Sequence, residues 1–180
     1  EDIVEIFNTP LIGHYNWDYT DADTRIKKLY ELGKKLNWDG SIDLDWSKGI
    51  KKGQAPVKAE LIARMEGPLA ALPEEERIEY MWHDNAWSLS QFLHGEQGAL
   101  LVASQLVSCA PTYQAKLYAA SQTFDEARHV EVFARYLKEV SGVEYPINKN
   151  LKSLIDKILS DPRWDLKFIG MQIIIEGLAL

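Results

Sequence analysis

The chain contains one cysteine, Cys109, among its 180 residues. This count rules out an intrachain disulfide, and with it the disulfide-rich class of small secreted domains. Long apolar runs are also absent, since no stretch approaches the roughly 20 apolar residues of a membrane-spanning helix. The first residues lack the apolar segment of a secretory signal. We therefore expect a cytoplasmic protein that spans no membrane.

Positive charge is scarce and scattered. The 20 Lys and Arg residues are outnumbered by 27 Asp and Glu, which gives a net charge of −7. Nucleic acid binding needs concentrated positive charge, so nucleic acid is not an expected partner. The lysines at positions 27, 28, 34 and 35 are interpreted as a solvated helix face.

Helical periodicity is plentiful, whereas strand signals are few. A helix is predicted from about Asp21 to Leu36, followed by a turn-rich segment from about Asp39-Gly40 to Gly53. We place an N-terminal extension over residues 1–72, packing on a helical bundle over residues 73–180. The predicted fold class is all-α, and the length fits one domain with a substantial core.

Start and stop signals divide residues 73–180 into four helices. Pro73 and three following glutamates favour a long helix that ends near Cys109. Pro111-Thr112 begins a second long helix, which ends at Ser141-Gly142 and forms an antiparallel hairpin with the first. A shorter helix is predicted over residues 148–159, and Asp161-Pro162 is expected to start the last one.

Two acidic residues take symmetrical places in this hairpin. Glu96 lies 15 residues before Pro111, and Glu126 lies 15 residues after it. At about 1.5 Å per residue, both carboxylates lie roughly 20 Å from the turn on the facing apolar stripes. His129 is on the same face as Glu126, about one turn further along. The spacing therefore predicts that Glu96 and Glu126 meet, with an imidazole beside them.

A third acidic residue, Glu176, lies in an otherwise uncharged run from residue 168 to residue 180. Buried carboxylates repel one another unless positive charge neutralises them, and a pair of metal ions does so while accepting oxygen and imidazole ligands. Other interpretations exist for each residue alone. Glu96 could pair with a core Arg, Tyr or Trp, the Glu-x-x-His could be a helix-surface pair, and Glu176 could reach solvent.

The run from Asp125 to His129 reads Asp-Glu-Ala-Arg-His and resembles a helix of the ferritin-like carboxylate di-iron oxygenases. This superfamily includes bacterial multicomponent monooxygenase hydroxylases, N-oxygenases and two-metal ligand-binding oxidases. The 30-residue gap from Glu96 to Glu126 is similar to theirs. The resemblance implies a ferritin-like four-helix bundle over about residues 73–180. It also implies that Asp125 and Arg128 orient histidine ligands through hydrogen bonds.

On the same resemblance, four residues correspond to four of the family's six metal ligands: Glu96, Glu126, His129 and Glu176. Glu126 would be the bridge. The 180 residues contain one Glu-x-x-His where the family has two, and the chain starts at Glu1 and stops at Leu180 within an apolar run. We therefore expect a piece of a longer protein that lacks the fourth ligand helix.

Two positions depart from the pattern of particular family members. Phe133 stands where ribonucleotide reductase small subunits carry a radical tyrosine, which argues against that role. Leu180 stands where the multicomponent monooxygenases have a threonine, which puts their proton-delivery chemistry in doubt.

The resemblance implies a dioxygen-activating di-iron oxidoreductase that hydroxylates or N-oxygenates a small organic substrate. Two iron ions are the expected cofactor, with a manganese–iron pair as an alternative. Electrons would come from a reductase or ferredoxin, and a homodimer is expected. The alternatives are a ferritin-like iron-binding or storage protein without an organic substrate, and a structural helical protein with a relic site.

The substrate pocket is predicted to be walled by Leu93, Ala99, Leu100 and Phe133. The aromatic set at Trp17, Trp38 and Trp46 is expected to pack onto the bundle, with a place in the substrate pocket as the alternative. His83 and His94 are expected to have surface or packing roles, and Glu131 is expected to be solvated.

Overall fold

The computed structural model describes residues 6–179, except positions 10, 16, 21–23, 58, 63 and 65. These residues form helices and connecting loops, and no strand occurs among them. The predicted all-α class is therefore confirmed. The predicted start at Asp21 and the residue Leu180 lie outside the described residues.

The helices are as follows, in chain order: α1 Thr24–Lys35, α2 Ala59–Ile62, α3 Glu74–Cys109, α4 Tyr113–Tyr136, α5 Lys149–Ser160, α6 Trp164–Phe168 and α7 Glu176–Ala179. Short 3₁₀ turns occur at Trp46–Lys48 and Gly67–Ala71. Two π-helical segments, Leu137–Ser141 and Ile169–Ile175, continue α4 and join α6 to α7.

The long helices α3 and α4 form the predicted hairpin, with boundaries close to those expected. Pro73 occupies the N-cap of α3, and Thr112 caps α4 by accepting a hydrogen bond from the Ala115 N–H. The Lys116 ammonium donates to the carbonyls of Val107 and Ser108 at the end of α3. Local capping therefore fixes both sides of the turn, as the sequence signals indicate.

The predicted second helix has the expected extent but is not α-helical throughout. After Tyr136 the chain forms the π segment Leu137–Ser141, which Gly142 ends at φ 66°. Only glycine adopts this left-handed conformation routinely, which explains why the helix stops there.

The shorter helix α5 begins after Asn148, whose side chain accepts hydrogen bonds from the Asn150 and Leu151 N–H groups. It packs closely on α3, because a Cβ added at Gly98 would lie 2.9 Å from Cδ1 of Ile155. An apolar core lies between α3, α4, α5 and the π segment Ile169–Ile175. It consists of Ala99, Val102, Leu106, Cys109, Ala119, Ile155, Ile158, Leu159 and Met171.

The last helix begins slightly later than predicted. Asp161 does not cap a helix at Pro162; its carboxylate instead accepts hydrogen bonds from the backbone and guanidinium of Arg163, and α6 starts at Trp164. The fully buried Lys167 donates to the carbonyls of Ile158 and Leu159 at the end of α5. A lysine therefore caps the preceding helix at this corner as well.

The N-terminal part of the chain lies against the outside of α4. Helix α1 packs on α4, and the loop after it approaches so closely that a Cβ at Gly40 would lie 2.6 Å from Cγ2 of Val132. Trp46 donates its indole N–H to the Gly40 carbonyl and lies under the guanidinium of Arg135 at 4.2 Å. In the described part of the chain, no helix is long and apolar enough to cross a membrane.

Candidate metal centre

The hairpin brings Glu96 of α3 and Glu126 of α4 together in the interior. One carboxylate oxygen from each, with one ring nitrogen of His129, forms a group whose atoms all lie within 4.8 Å of one another. Glu126 is 5% exposed, and Glu96 is partly buried. The meeting of the two glutamates that the spacing around Pro111 predicts is therefore found in the structure.

The imidazole of His129 is oriented by these carboxylates. Its Nδ1 atom lies 3.1 Å from Oε2 of Glu96 and 3.1 Å from Oε2 of Glu126. Glu126 is further held by Gln122, which donates its side-chain N–H to Oε1 at 3.1 Å. Three potential ligand atoms thus point at one place between the two helices.

The protonation of the cluster follows from this geometry. Hydrogen bonds to Glu126 and Glu96 raise the pKa of His129 to about 10. Burial raises the pKa of Glu96, and its hydrogen bond with Glu126 adds to that shift. Burial acts against ionisation of Glu126 too, but hydrogen bonds from His129, Glu96 and Gln122 outweigh it and lower the pKa of Glu126. A proton on the imidazole therefore sits between the carboxylates.

Glu176 lies outside this close group but within electrostatic range of it. Burial raises the pKa of Glu176 to about 6, and the nearby charges of Glu126 and Glu96 add to the rise. The residue is half-buried and directly follows the π segment Ile169–Ile175. In a π helix each N–H bonds to the carbonyl five residues back. The side of the helix on which Glu176 lies therefore does not follow from α-helical periodicity.

A cavity of about 360 Å³ connects Glu96 with Glu176. Its lining comes from α3, α5, the π segment Ile169–Ile175 and α7. The lining residues are Trp87, Ser88, Gln91, Phe92, Gly95, Glu96, Leu151, Leu154, Ile175 and Glu176. Most of this lining is apolar, and a Cβ added at Gly95 would meet no atom within 4 Å. The missing side chain at Gly95 leaves open space beside Glu96.

The four residues predicted to wall the pocket do not line this cavity. Leu93 is 8% exposed and packs in the core with Ala86 and Leu137, while Ala99 is 1% exposed in the core against α5. Leu100 is half-buried. Phe133 stacks on Phe92, a residue of the cavity lining, with ring centroids 6.0 Å apart. The cavity instead follows positions 88, 91, 92 and 95 of α3, which lie on a different face of the helix from Leu93.

Asp125 and Arg128 form an ion pair on the outer side of the site. Arg128 is 7% exposed and also donates to the Asn37 side-chain oxygen at 2.6 Å and to the Trp38 carbonyl at 2.7 Å. These hydrogen bonds lead to the loop that follows α1, here called the N-terminal loop (residues 36–45), and not to His129. The expectation that Asp125 and Arg128 orient histidine ligands through hydrogen bonds stays a prediction.

Two residues of the site carry no strong signal in the sequence. Gln122 could have been found, because it lies four residues before Glu126 on the same helix face. Trp38 could not be assigned a contact, although its ring stacks on His129 with centroids 6.1 Å apart and an angle of 18°. It lies 90 residues from Arg128, which holds it.

His83 and His94 have packing contacts, as expected. His83 forms a hydrogen bond with the Tyr145 hydroxyl at 2.7 Å, and His94 with the Tyr145 carbonyl at 2.8 Å. Glu131 is exposed on α4.

No family model, no curated protein and no solved structure matches this chain.

Proposed function

We propose that this chain carries a carboxylate-bridged di-iron site in a ferritin-like helical bundle and acts as a dioxygen-activating oxidoreductase on a small organic substrate. The observation that carries the proposal is the group formed by Glu96, Glu126 and His129. These residues come from two helices and place their ligand atoms within reach of one ion.

The chemistry of the donor set fits iron or manganese. Two carboxylates and an imidazole are ligands that both metals accept. A divalent ion replaces the proton on His129 with greater positive charge, and so compensates the buried carboxylates better. Glu96, Glu126 and His129 would hold one ion, and Glu126 with Glu176 would contribute to the second.

The cavity supports an organic substrate. Its mostly apolar lining, which includes Phe92 and Leu154, suits a compound with little charge. Glu96 and Glu176 reach this space from two helices, so a molecule held there lies against both acidic residues. The metals would supply the redox chemistry with O2, while electrons would come from a separate reductase or ferredoxin.

An anaerobic titration of Fe²⁺ into metal-free protein tests the metal site. We expect about one or more bound ions per chain and the loss of most binding in Glu126→Ala, because Glu126 would contribute to holding both ions. Glu131→Ala is the matched control, since Glu131 is an exposed glutamate on the same helix. Equal iron binding by the wild type and Glu126→Ala would refute the proposal.

Exposure of the ferrous protein to O2 separates an oxygenase from a storage protein. An oxygenase consumes O2 in proportion to an added aromatic or amine compound and leaves an oxygenated product, detectable by mass spectrometry. Accumulation of many iron ions per chain without such a product would favour storage instead.

A further inference from the structure

We propose that Trp38 is a positioning residue that holds the imidazole of His129 in the orientation in which its Nδ1 atom faces Glu96 and Glu126. The inference rests on the proposed metal site, because the orientation of His129 matters most when that nitrogen is a ligand. It assigns a role to the N-terminal loop.

The contact itself is a stack of two rings. The indole of Trp38 and the imidazole of His129 are nearly parallel, at 18°, with centroids 6.1 Å apart. This separation is within the range of offset-stacked aromatic pairs. The His129 side chain is 39% exposed, so packing encloses it on only part of its surface. The indole therefore limits rotation of the His129 imidazole on a side that would otherwise face solvent.

Arg128 fixes the indole from the helix that carries His129. Its guanidinium donates to the Trp38 carbonyl at 2.7 Å and lies 4.7 Å from the centre of the indole ring. It also donates to the side chain of Asn37, the residue before Trp38. Arg128 and His129 are adjacent in α4. The same helical turn therefore carries the candidate ligand His129 and the arginine that holds Trp38 against it.

The loop that carries Trp38 is braced on its other side. Gly40 is buried against Val132 and accepts a hydrogen bond from the Trp46 indole. Asp39 accepts from the Ser41 N–H at 2.8 Å, and its own N–H donates to Asp43 at 2.7 Å. These bonds hold the backbone at positions 39–43 in a compact turn. The backbone that directly follows Trp38 is therefore fixed, which limits how far this residue can shift from His129.

A ligand held in advance binds metal with less loss of side-chain freedom. Removal of residues that orient a metal-ligating histidine typically costs about 10- to 100-fold in metal affinity. We expect the same range for Trp38→Leu, which removes the aromatic ring but keeps apolar bulk. Trp38→Phe keeps a stacking ring and is expected to retain affinity within about threefold.

The experiment measures Co²⁺ binding by calorimetry and the visible ligand-field spectrum of the bound ion. Wild type, Trp38→Leu and Trp38→Phe are compared with Trp17→Leu, a control at a tryptophan that is 78% exposed. We expect weaker binding and a shifted spectrum in Trp38→Leu alone. Wild-type affinity and spectrum in Trp38→Leu would overturn the proposal, as would equal losses in Trp38→Leu and Trp38→Phe.

A readout without metal separates this inference from the proposed function. In metal-free protein, the ring-proton shifts and relaxation of His129 report its stacking and its mobility by NMR. We expect Trp38→Leu to move these shifts and to increase ring mobility, while Trp17→Leu does neither. If wild type fails to bind Co²⁺ but this difference is seen, the metal proposal fails and the positioning by Trp38 stands. An unchanged His129 ring refutes the positioning, whatever the metal result.

Discussion

The Nδ1 atom of His129 on α4 lies 3.1 Å from Oε2 of Glu96 on α3. The same nitrogen lies 3.1 Å from Oε2 of Glu126, so a proton on Nδ1 is shared between carboxylates from both helices of the hairpin. A metal ion that binds these three side chains must displace that proton. Competition between protons and metal is therefore a direct test of the site.

Metal affinity should rise with pH between about 6 and 9, by up to about tenfold per pH unit for each proton released. The reason is that the pKa of His129 is about 10 in the metal-free protein, so its imidazole is protonated throughout this range. Calorimetry in buffers of different ionisation enthalpy measures the released protons. His129→Gln is the control and should release fewer protons, whereas a pH-independent wild-type affinity would contradict the prediction.

The same pKa predicts how the metal-free protein responds to alkali. The folded pKa of His129 lies above its ordinary value of 6.5, so the stabilisation is complete below about 6.5 and is lost as pH rises through about 10. Thermal unfolding between pH 7 and 11 should show a larger loss of stability for wild type than for His129→Gln. Parallel curves for the two proteins would mean that the ion pairs of His129 do not stabilise the fold.

Lys167→Met should lower the free energy of unfolding by about 1–3 kcal/mol. The substitution removes the buried ammonium that donates to the Ile158 and Leu159 carbonyls, and leaves both acceptors without this partner in the core. Urea denaturation measures the change. Lys157→Met is the matched control, because Lys157 is exposed on α5 and its loss should change stability little. A variant as stable as wild type would show that the capping contributes nothing.

Gly95→Ala and Gly98→Ala should have opposite effects on stability, although the glycines are three residues apart on α3. Alanine in a helix is favoured over glycine by about 1 kcal/mol. At Gly95 the new Cβ meets no atom within 4 Å, so this gain is expected in full. At Gly98 it would lie 2.9 Å from Ile155, and overpacking costs about 1–3 kcal/mol. Denaturation of the two variants side by side decides the matter; a more stable Gly98→Ala would contradict the close packing.

Gly95→Leu should fill the cavity beside Glu96 and weaken binding of a small aromatic probe such as indole, measured by calorimetry. The leucine side chain occupies space that the probe needs, while the backbone of α3 keeps its conformation. Gly177→Leu serves as the control, because Gly177 has similar free space around it but does not line the cavity. Equal indole binding by Gly95→Leu and wild type would remove the support for a substrate site here.

The hairpin and its two glutamates could be predicted because their determinants are local. Pro73, Thr112 and Gly142 set the helix boundaries through capping and backbone conformation, which sequence reveals directly. Once those boundaries are known, equal spacing from Pro111 places Glu96 and Glu126 at one height. Such inferences need no knowledge of distant contacts.

Three features could not be predicted, each for its own physical reason. The π segment before Glu176 changes the angle per residue, so the face on which that residue lies does not follow from an α-helical projection. The cavity walls depend on how α5 and the last helix pack on α3, which periodicity within α3 does not show. The contact of Trp38 with His129 joins positions far apart in the chain, and tryptophans in loops give no signal of their partners.

The close contact between Gly40 and Val132 bears on how far the chain could be shortened without loss of the site's geometry. A chain shortened to begin at Pro73 would keep all four candidate ligands, Glu96, Glu126, His129 and Glu176. It would lose the turn anchored at Gly40, and with it the only aromatic ring that the described residues stack on His129. The candidate ligands and the residues that hold His129 in place therefore belong to different parts of the sequence.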